Sequence, residues 1–284
     1  MISHRRILVC GASGLLGHGL VPFLKSLDLL VTTQSFSGPG DIQADLTNPD
    51  EAKKLIENTT PDIVINLAAL TNVDECEKFP EKAKLLNVNL VQNLVSAIGS
   101  KNILLIHIST DQLYDGEGLH LEENPNPKNV YAKTKLDGEK EALKIKSIIL
   151  RTTFFGRSQH PTRPSFSDWL INCFKNRTPI KLFTDVYVSP LSIKTLCKEI
   201  ARVIENPVPG IYNLGSLNGM SKRDFAYTLA KRFNHPIESH AEDISVSEST
   251  LLAFRPKNML MDCTKYMQTY DCKLPTLVDE INNF

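Results

Sequence analysis

The stretch Gly11 to Gly17, near the amino terminus, constrains the fold of this chain more than any other. It follows Ile7–Cys10, an apolar run that predicts a short buried strand, and it precedes a helix predicted over about 18–27. Glycines let a backbone approach a pyrophosphate, and the amino terminus of a helix favours its negative charge. The spacing G-x-x-G-x-x-G differs from the usual dinucleotide fingerprint, and a plain tight turn is the alternative. The position directly after a strand favours dinucleotide binding, with these expected cofactor contacts: Gly11, Ser13, Gly14, Leu15, Leu16 and Gly17.

The end of the second strand bears on the choice of dinucleotide. That strand is predicted over 29–33, and an acidic residue about 20 positions past the glycines would bind the ribose 2′-hydroxyl of NAD. Thr33, Gln34 and Ser35 stand there instead, and none of them is acidic. Because no negative charge opposes a 2′-phosphate, the sequence favours NADP(H), with NAD(H) as the alternative.

Two further segments are candidate parts of the cofactor site. Asp45 and Leu46 are predicted to begin the next helix, where the aspartate either contacts adenine or caps the helix with Thr47 and Asn48. A buried strand is predicted over 62–66, and the residues after it admit a flat ligand: Leu67, Ala68 and Ala69. A helical run is predicted over 75–86, and Asn87 beyond it is expected on a helix surface, with a bond to backbone near the site as the alternative.

The alternation of strands and helices predicts the fold class. Further buried strands are expected over 103–106 and 147–150, with helical runs between them. This order is typical of an α/β fold with a doubly wound parallel sheet of the Rossmann-like kind.

The alternation breaks after Gly156, which indicates a second lobe. Helices are predicted there over 166–174, 191–204 and 220–233, the last with Ser221 as its cap. We expect residues 1–156 and about 186–212 to form the dinucleotide-binding domain. Residues 157–185 and 213–284 are expected to form a smaller C-terminal substrate-binding lobe, and pockets tend to form between such lobes.

A polar stretch after the strand at 103–106 carries the candidate catalytic residues. Ser109 and Thr110 lie at the carboxyl end of that strand, where open α/β sheets place their ligands. Tyr131 and Lys135 are four residues apart and share one face of a predicted helix. A free tyrosine has a pKa of about 10, and an ammonium beside it would lower that value. With the Thr110 hydroxyl, the pair can move a proton at a carbonyl or alcohol; the alternative is an ordinary surface Tyr and Lys.

The composition excludes several other classes of protein. The chain has 32 basic and 32 acidic residues, so it presents no net charge that would favour nucleic acid or a membrane surface. No segment approaches the length of a membrane span and no export signal is seen, so we expect a cytoplasmic protein. The six cysteines lack metal-ligand spacing and are expected to be reduced thiols, with no metal site.

The ordered motifs resemble a known family. Residues Gly11–Gly17, Asn66–Ala69, Ser109–Gly116 and Tyr131–Lys135 look like the extended short-chain dehydrogenase/reductases. The closer resemblance is to dTDP-4-dehydrorhamnose reductases and the related beta subunit of methionine adenosyltransferase. It covers nearly the whole chain and is carried by three more segments: 130–140, 254–258 and 260–265.

The resemblance implies roles for the candidate residues. Tyr131 would be the general acid, Lys135 would lower its pKa and hold the nicotinamide ribose, and Thr110 would hydrogen-bond the carbonyl oxygen. The implied function is NADPH-dependent reduction of a 4-keto sugar carried on a nucleotide. The alternative is a non-catalytic NADP-binding regulatory subunit with a partner enzyme. A homodimer is compatible with both.

Three departures from the rhamnose reductases fall where that family contacts sugar. Gln112 replaces an aromatic residue, Phe154 stands where they carry a tryptophan, and 186–191 replaces their Q-F-G-A-P-T segment. Gln112, Phe154 and Arg255 are the candidate substrate-binding residues, and the departures leave the identity of the sugar open. A sugar 4,6-dehydratase is disfavoured because that family needs a glutamate at the position of Gln112.

Overall fold

The computed structural model describes residues 5–158 and 164–284. Its strands are β1 Arg6–Cys10, β2 Leu30–Ser35, β3 Ile42–Gln43, β4 Ile63–Asn66, β5 Leu104–Thr110, β6 Ser147–Thr152, β7 Phe154–Phe155, β8 Ile180–Phe183, β9 Tyr187–Val188, β10 Leu191–Ser192, β11 Gly210–Leu214, β12 Met220–Ser221 and β13 Ala241–Ile244. Its α-helices are α1 Leu15–Lys25, α2 Pro49–Thr59, α3 Val73–Lys78, α4 Pro80–Lys84, α5 Leu90–Ile98, α6 Val130–Ala142, α7 Phe166–Asn176, α8 Ile193–Glu205, α9 Lys222–Arg232, α10 Thr264–Thr269 and α11 Leu277–Asn282.

Seven parallel strands form the central sheet, in the order β11-β6-β5-β4-β1-β2-β3. The chain builds outward from β1 in one direction through β2 and β3, and then in the other direction from β4. This order confirms the predicted doubly wound sheet. The order reverses between β1 and β4, and ligands of such sheets bind in the crevice at the carboxyl ends of the strands there.

Both faces of the sheet are covered by helices. Alternate residues of β1 enter different cores: Ile7 and Val9 pack with α1, α8 and α10, whereas Leu8 and Cys10 pack with α2 and α5. Side chains of a strand point alternately to its two faces, so a strand buried on both faces has a continuous apolar sequence. This explains why the sequences of β1 and β4 lack polar alternation.

A third core lies outside the central sheet. It joins α7, α9 and α11 to the parallel pair β8–β13, with Leu170, Phe225 and Leu277 among its buried residues. The division of the chain at residues 156, 186 and 212 stays a prediction. Tyr266 and Tyr270, from the segment predicted for the smaller lobe, pack in the core of the central sheet.

Several predicted element boundaries were wrong, for local reasons. The first helix begins at Leu15 rather than at residue 18, because Gly14 is its N-cap. The second begins at Pro49 rather than Asp45, because the Asn48 side chain accepts hydrogen bonds from the first-turn N–H groups. The helix predicted over 75–86 is divided at Pro80, since the residue before a proline is disfavoured in the helical conformation. In the described part of the chain, no helix is long and apolar enough to cross a membrane.

Candidate active site

The glycine turn and the segment after β4 lie against each other. Gly11 has φ +75°, and a Cβ on it would lie 2.7 Å from the backbone nitrogen of Ala68. Only glycine therefore fits this position without displacing Ala68. A Cβ on Gly14 would meet nothing closer than the Gly11 carbonyl oxygen, at 3.4 Å.

The start of α1 has the features of an anion site. Gly14 occupies the N-cap position, so no side chain bonds the free N–H groups of the first turn. No acidic residue lies in that turn. The first N–H groups of a helix lack intrahelical partners and favour negative charge. The turn therefore fits the pyrophosphate of a dinucleotide, although the contacts predicted for Ser13, Leu15 and Leu16 stay predictions.

The end of β2 is tied to the glycine turn by a buried amide. Gln34 accepts a hydrogen bond from Gly11 N at 3.1 Å and donates one to the Ala44 carbonyl at 2.6 Å. Asp41, which the sequence did not indicate as part of the site, also contacts this strand. The Asp41 carboxylate accepts bonds from the backbone and hydroxyl of Thr33, at 2.9 and 2.8 Å, and these bonds lower the pKa of Asp41.

Asp45 and Leu46 lie in the connection before α2. The Asp45 carboxylate accepts hydrogen bonds from the backbone and hydroxyl of Thr47, so it closes a turn and does not cap the helix. The Leu46 side chain is buried in the core with α2 and α5. Contacts of either residue with a cofactor stay predictions.

Thr110 and Tyr131 meet at the carboxyl end of β5. Thr110 is the last residue of β5 and Tyr131 is the second of α6, and both are buried. Asn129 caps α6 by accepting from Ala132 N at 2.8 Å, and its amide donates to Gln112 Oε1 at 3.2 Å. The cap therefore connects the helix that carries Tyr131 to the turn that carries Gln112.

Burial is the largest cause of the pKa shifts of Tyr131, Lys135 and Asp111. It raises the pKa of Tyr131, and a hydrogen bond with Thr110 opposes the increase. The lowering of this pKa by Lys135 stays a prediction, and Lys135 Nζ donates to the Ile108 carbonyl at 2.7 Å. Burial also lowers the pKa of Lys135 to about 8. It raises the pKa of Asp111 to about 6, against the opposing charge of Lys222.

A buried ion pair holds the catalytic helix against the sheet. Arg151 on β6 contacts both carboxylate oxygens of Glu139 on α6, the shortest contact being 2.7 Å, and the two side chains are 2% and 1% exposed. Ser109 on β5 donates to the same carboxylate. Sequence reasoning did not identify this pair, because its partners lie on different elements.

Asn87 was predicted on a helix surface, and this prediction was wrong. The residue is buried in a π-helical turn, Leu85–Asn89, between α4 and α5. Its side chain accepts from Leu70 N at 2.8 Å and donates to Leu70 O and to the Thr134 hydroxyl, both at 3.1 Å. It therefore joins the segment after β4 to α6.

The candidate substrate residues have different surroundings. Arg255 forms an ion pair with Asp74 at 3.0 Å, and the neighbouring Phe254 carbonyl accepts from Asn129 at 3.0 Å. This places Arg255 beside the start of α6. Phe154 pairs with Leu191 and packs against the core of the central sheet. Substrate contacts of Gln112, Phe154 and Arg255 stay predictions.

Lys222 was not identified from the sequence. It is the first residue of α9, and its charge interacts with Asp111 and with Arg255. Burial lowers the pKa of Lys222. A lysine at the start of an amphipathic helix gives no sequence signal, since its interaction with Asp111 depends on the fold. Among the described residues, no group of His, Cys, Asp and Glu side chains could hold a metal ion.

Comparison with known proteins identifies relatives over nearly the full chain. The RmlD substrate binding domain model matches residues 5–284. The dTDP-4-dehydrorhamnose reductase of Aggregatibacter actinomycetemcomitans is 30% identical, over 93% of this chain and 93% of that protein. Methionine adenosyltransferase 2 subunit beta of Xenopus laevis is also 30% identical, over 93% of this chain and 82% of that protein. A crystal structure of the Bacillus anthracis dTDP-4-dehydrorhamnose reductase in complex with NADP has a TM-score of 0.89 at 24% identity, covering 99% and 98% of the two chains.

Proposed function

The chain belongs to the RmlD substrate binding domain family, and we propose that it is an NADPH-dependent reductase of a nucleotide-linked 4-keto sugar. The observation that carries the proposal is that Thr110, at the end of β5, and Tyr131, on α6, are both buried at the same end of the sheet, with Lys135 one turn further along α6. These groups lie at the carboxyl end of β5, on the same edge of the sheet as the glycine turn. The named reductase and NADP complex among the relatives support the same reaction.

Each residue has a separate task in this mechanism. When bound, NADPH supplies the hydride that reduces the carbonyl carbon. Tyr131 donates its proton to the carbonyl oxygen, and Thr110 donates a hydrogen bond to the same oxygen. Burial keeps the Tyr131 hydroxyl protonated, which suits a general acid. Lys135 would hold the nicotinamide ribose, and the start of α1 would hold the pyrophosphate.

Loss of NADPH absorbance on addition of nucleotide 4-keto sugars tests this function. Wild-type protein should consume NADPH with at least one such sugar. Tyr131→Phe should lower kcat by about 10²–10⁴-fold, the usual contribution of general acid catalysis. Tyr227→Phe is the matched control and should leave kcat unchanged, because Tyr227 lies on α9 against Arg223. An unchanged rate in Tyr131→Phe would exclude Tyr131 as the acid.

A second candidate is a regulatory subunit that binds NADP and a partner enzyme. The match to methionine adenosyltransferase 2 subunit beta favours it. This function predicts that no keto sugar consumes NADPH and that the protein forms a stoichiometric complex with a synthetase. Under it, Tyr131→Phe would leave that complex and the partner's activity unchanged.

A further inference from the structure

Three buried side chains connect the end of β4 to Lys135. Asn66 and His107 are fully buried, and Lys135 is 2% exposed. The Asn66 amide nitrogen lies 3.1 Å from His107 Nδ1, and His107 Nε2 lies 3.5 Å from Lys135 Nζ. Lys135 Nζ also donates to the Ile108 carbonyl at 2.7 Å.

The backbone determines which way this chain of contacts is oriented. Ala68 N donates to Asn66 Oδ1 at 3.1 Å, so the other end of the amide, the NH₂ group, faces His107. An NH₂ group only donates, and His107 Nδ1 must therefore accept. A neutral imidazole that accepts at Nδ1 carries its proton on Nε2. The Nε2–H group consequently points towards the nitrogen of Lys135.

We propose that Asn66 and His107 are positioning residues that favour the neutral amine of Lys135 over its ammonium form. An Nε2–H donor can bond the lone pair of an amine, whereas an ammonium group has only donors to offer it. The amine can accept from His107 and still donate to the Ile108 carbonyl. The inference rests on the proposed function for its importance in catalysis, but the tautomer and the lysine equilibrium exist without turnover.

The surrounding charges are consistent with this assignment. Burial is the largest cause that holds the pKa of His107 well below its usual range, so the imidazole is neutral whichever form Lys135 takes. Glu139 raises the pKa of Lys135, but burial has the larger effect. Arg151 and Ser109 engage the same Glu139 carboxylate. The titratable groups that face Lys135 are Tyr131 and Glu139 on α6 and His107 on β5. Asn66 on β4 acts through His107, and Arg151 on β6 acts through Glu139.

Nuclear magnetic resonance of the labelled full-length protein tests the proposal directly. The ring nitrogen signals of His107 should identify the Nε2–H tautomer, and the Lys135 side-chain carbon signal should report its titration. In Asn66→Asp, the carboxylate accepts from Nδ1–H, so Nε2 becomes an acceptor for the ammonium group. The Lys135 midpoint should rise by about one pH unit, a tenfold change in its proton equilibrium.

Because Asn66→Asp also adds a negative charge, a neutral variant is needed. In His107→Gln the side-chain carbonyl can turn to Lys135, and the midpoint should rise without any added charge. His235→Gln is the matched control and should leave the midpoint unchanged. An Nδ1–H tautomer in the wild type, or an unchanged midpoint in a folded His107→Gln variant, would overturn the proposal.

Turnover separates this inference from the proposed function. If Lys135 must be charged in catalysis, the alkaline decline of kcat should move to higher pH in both variants, in step with the Lys135 midpoint. A uniform loss of kcat with an unmoved pH profile would show a merely structural role and overturn the inference. A wild type that consumes no NADPH would refute the reductase, while the resonance measurements would still decide the tautomer.

Discussion

The ion pair between Glu139 and Arg151 makes a strong prediction about stability. Glu139→Gln keeps the shape of the side chain but removes the carboxylate charge that Arg151 contacts at 2.7 Å. Both side chains are almost fully buried, and arginine does not lose its proton in proteins, so the variant leaves a buried guanidinium charge without its partner. Breaking one partner of a buried pair costs about 3–5 kcal/mol. We expect that loss in the free energy of unfolding, with a fall in Tm of roughly 10 °C.

Chemical denaturation of the variant and a control measures this effect. Asp137→Asn removes an ion pair with Lys140 on the same helix, also at 2.7 Å, but its side chains are 51% and 64% exposed. Exposed pairs contribute about 0–1 kcal/mol, so this variant should unfold nearly as the wild type does. Replacing both buried partners by Leu and Met should recover part of the loss, because no unpaired charge remains. A Glu139→Gln variant within about 1 kcal/mol of the wild type would refute the reasoning.

Three further predictions concern the site. Gly14→Val should abolish NADPH binding in calorimetry while the protein stays folded, because space is open around Gly14; Gly17→Val should instead destabilise the fold, since a Cβ there would lie 2.2 Å from the Ala12 carbonyl oxygen. Gln112→Ala should weaken substrate binding by roughly tenfold, the value of one neutral hydrogen bond, and leave NADPH affinity unchanged. Burial raises the pKa of Asp111 to about 6, so the Asp111 carboxyl holds its proton more tightly in the folded protein than in the unfolded chain. Protonation of Asp111 therefore stabilises the fold at low pH, and this stabilisation is lost as the pH rises from about 4 to 6. Asp111→Asn should therefore gain stability relative to the wild type at pH 7 by a few kcal/mol, and an equal difference between the two at low and neutral pH would contradict this.

The sequence predicted the elements whose signals are local. The apolar run of β1 and the glycine turn predicted a strand, a turn and a helix in that order, and the sheet confirms them. The spacing of Tyr131 and Lys135 correctly predicted one helix for both residues. Boundaries failed where a cap decided them, as at Asn48, because several polar residues nearby could each have been the cap.

The contacts among the buried polar residues of the site could not be predicted from the sequence in this way. His107 lies within the buried strand β5, and the sequence of that strand does not indicate a partner for His107 on β4 or α6. Arg151 and Glu139 are ordinary charged residues until the fold buries them together. Such roles depend on distances between elements far apart in sequence, and the sequence of one chain carries no signal for them.

The titration of the buried groups distinguishes between the two candidate functions. A site that only holds a phosphate-bearing cofactor is served best by a lysine whose charge is permanent. Buried titratable groups with shifted pKa values are instead typical of catalytic sites. Burial brings the pKa of Lys135 down to about 8 and that of Asp111 up to about 6, which moves both towards neutrality. Burying these groups opposes folding, and binding alone gains nothing from it. The arrangement around Tyr131 therefore favours a reductase over a regulatory subunit.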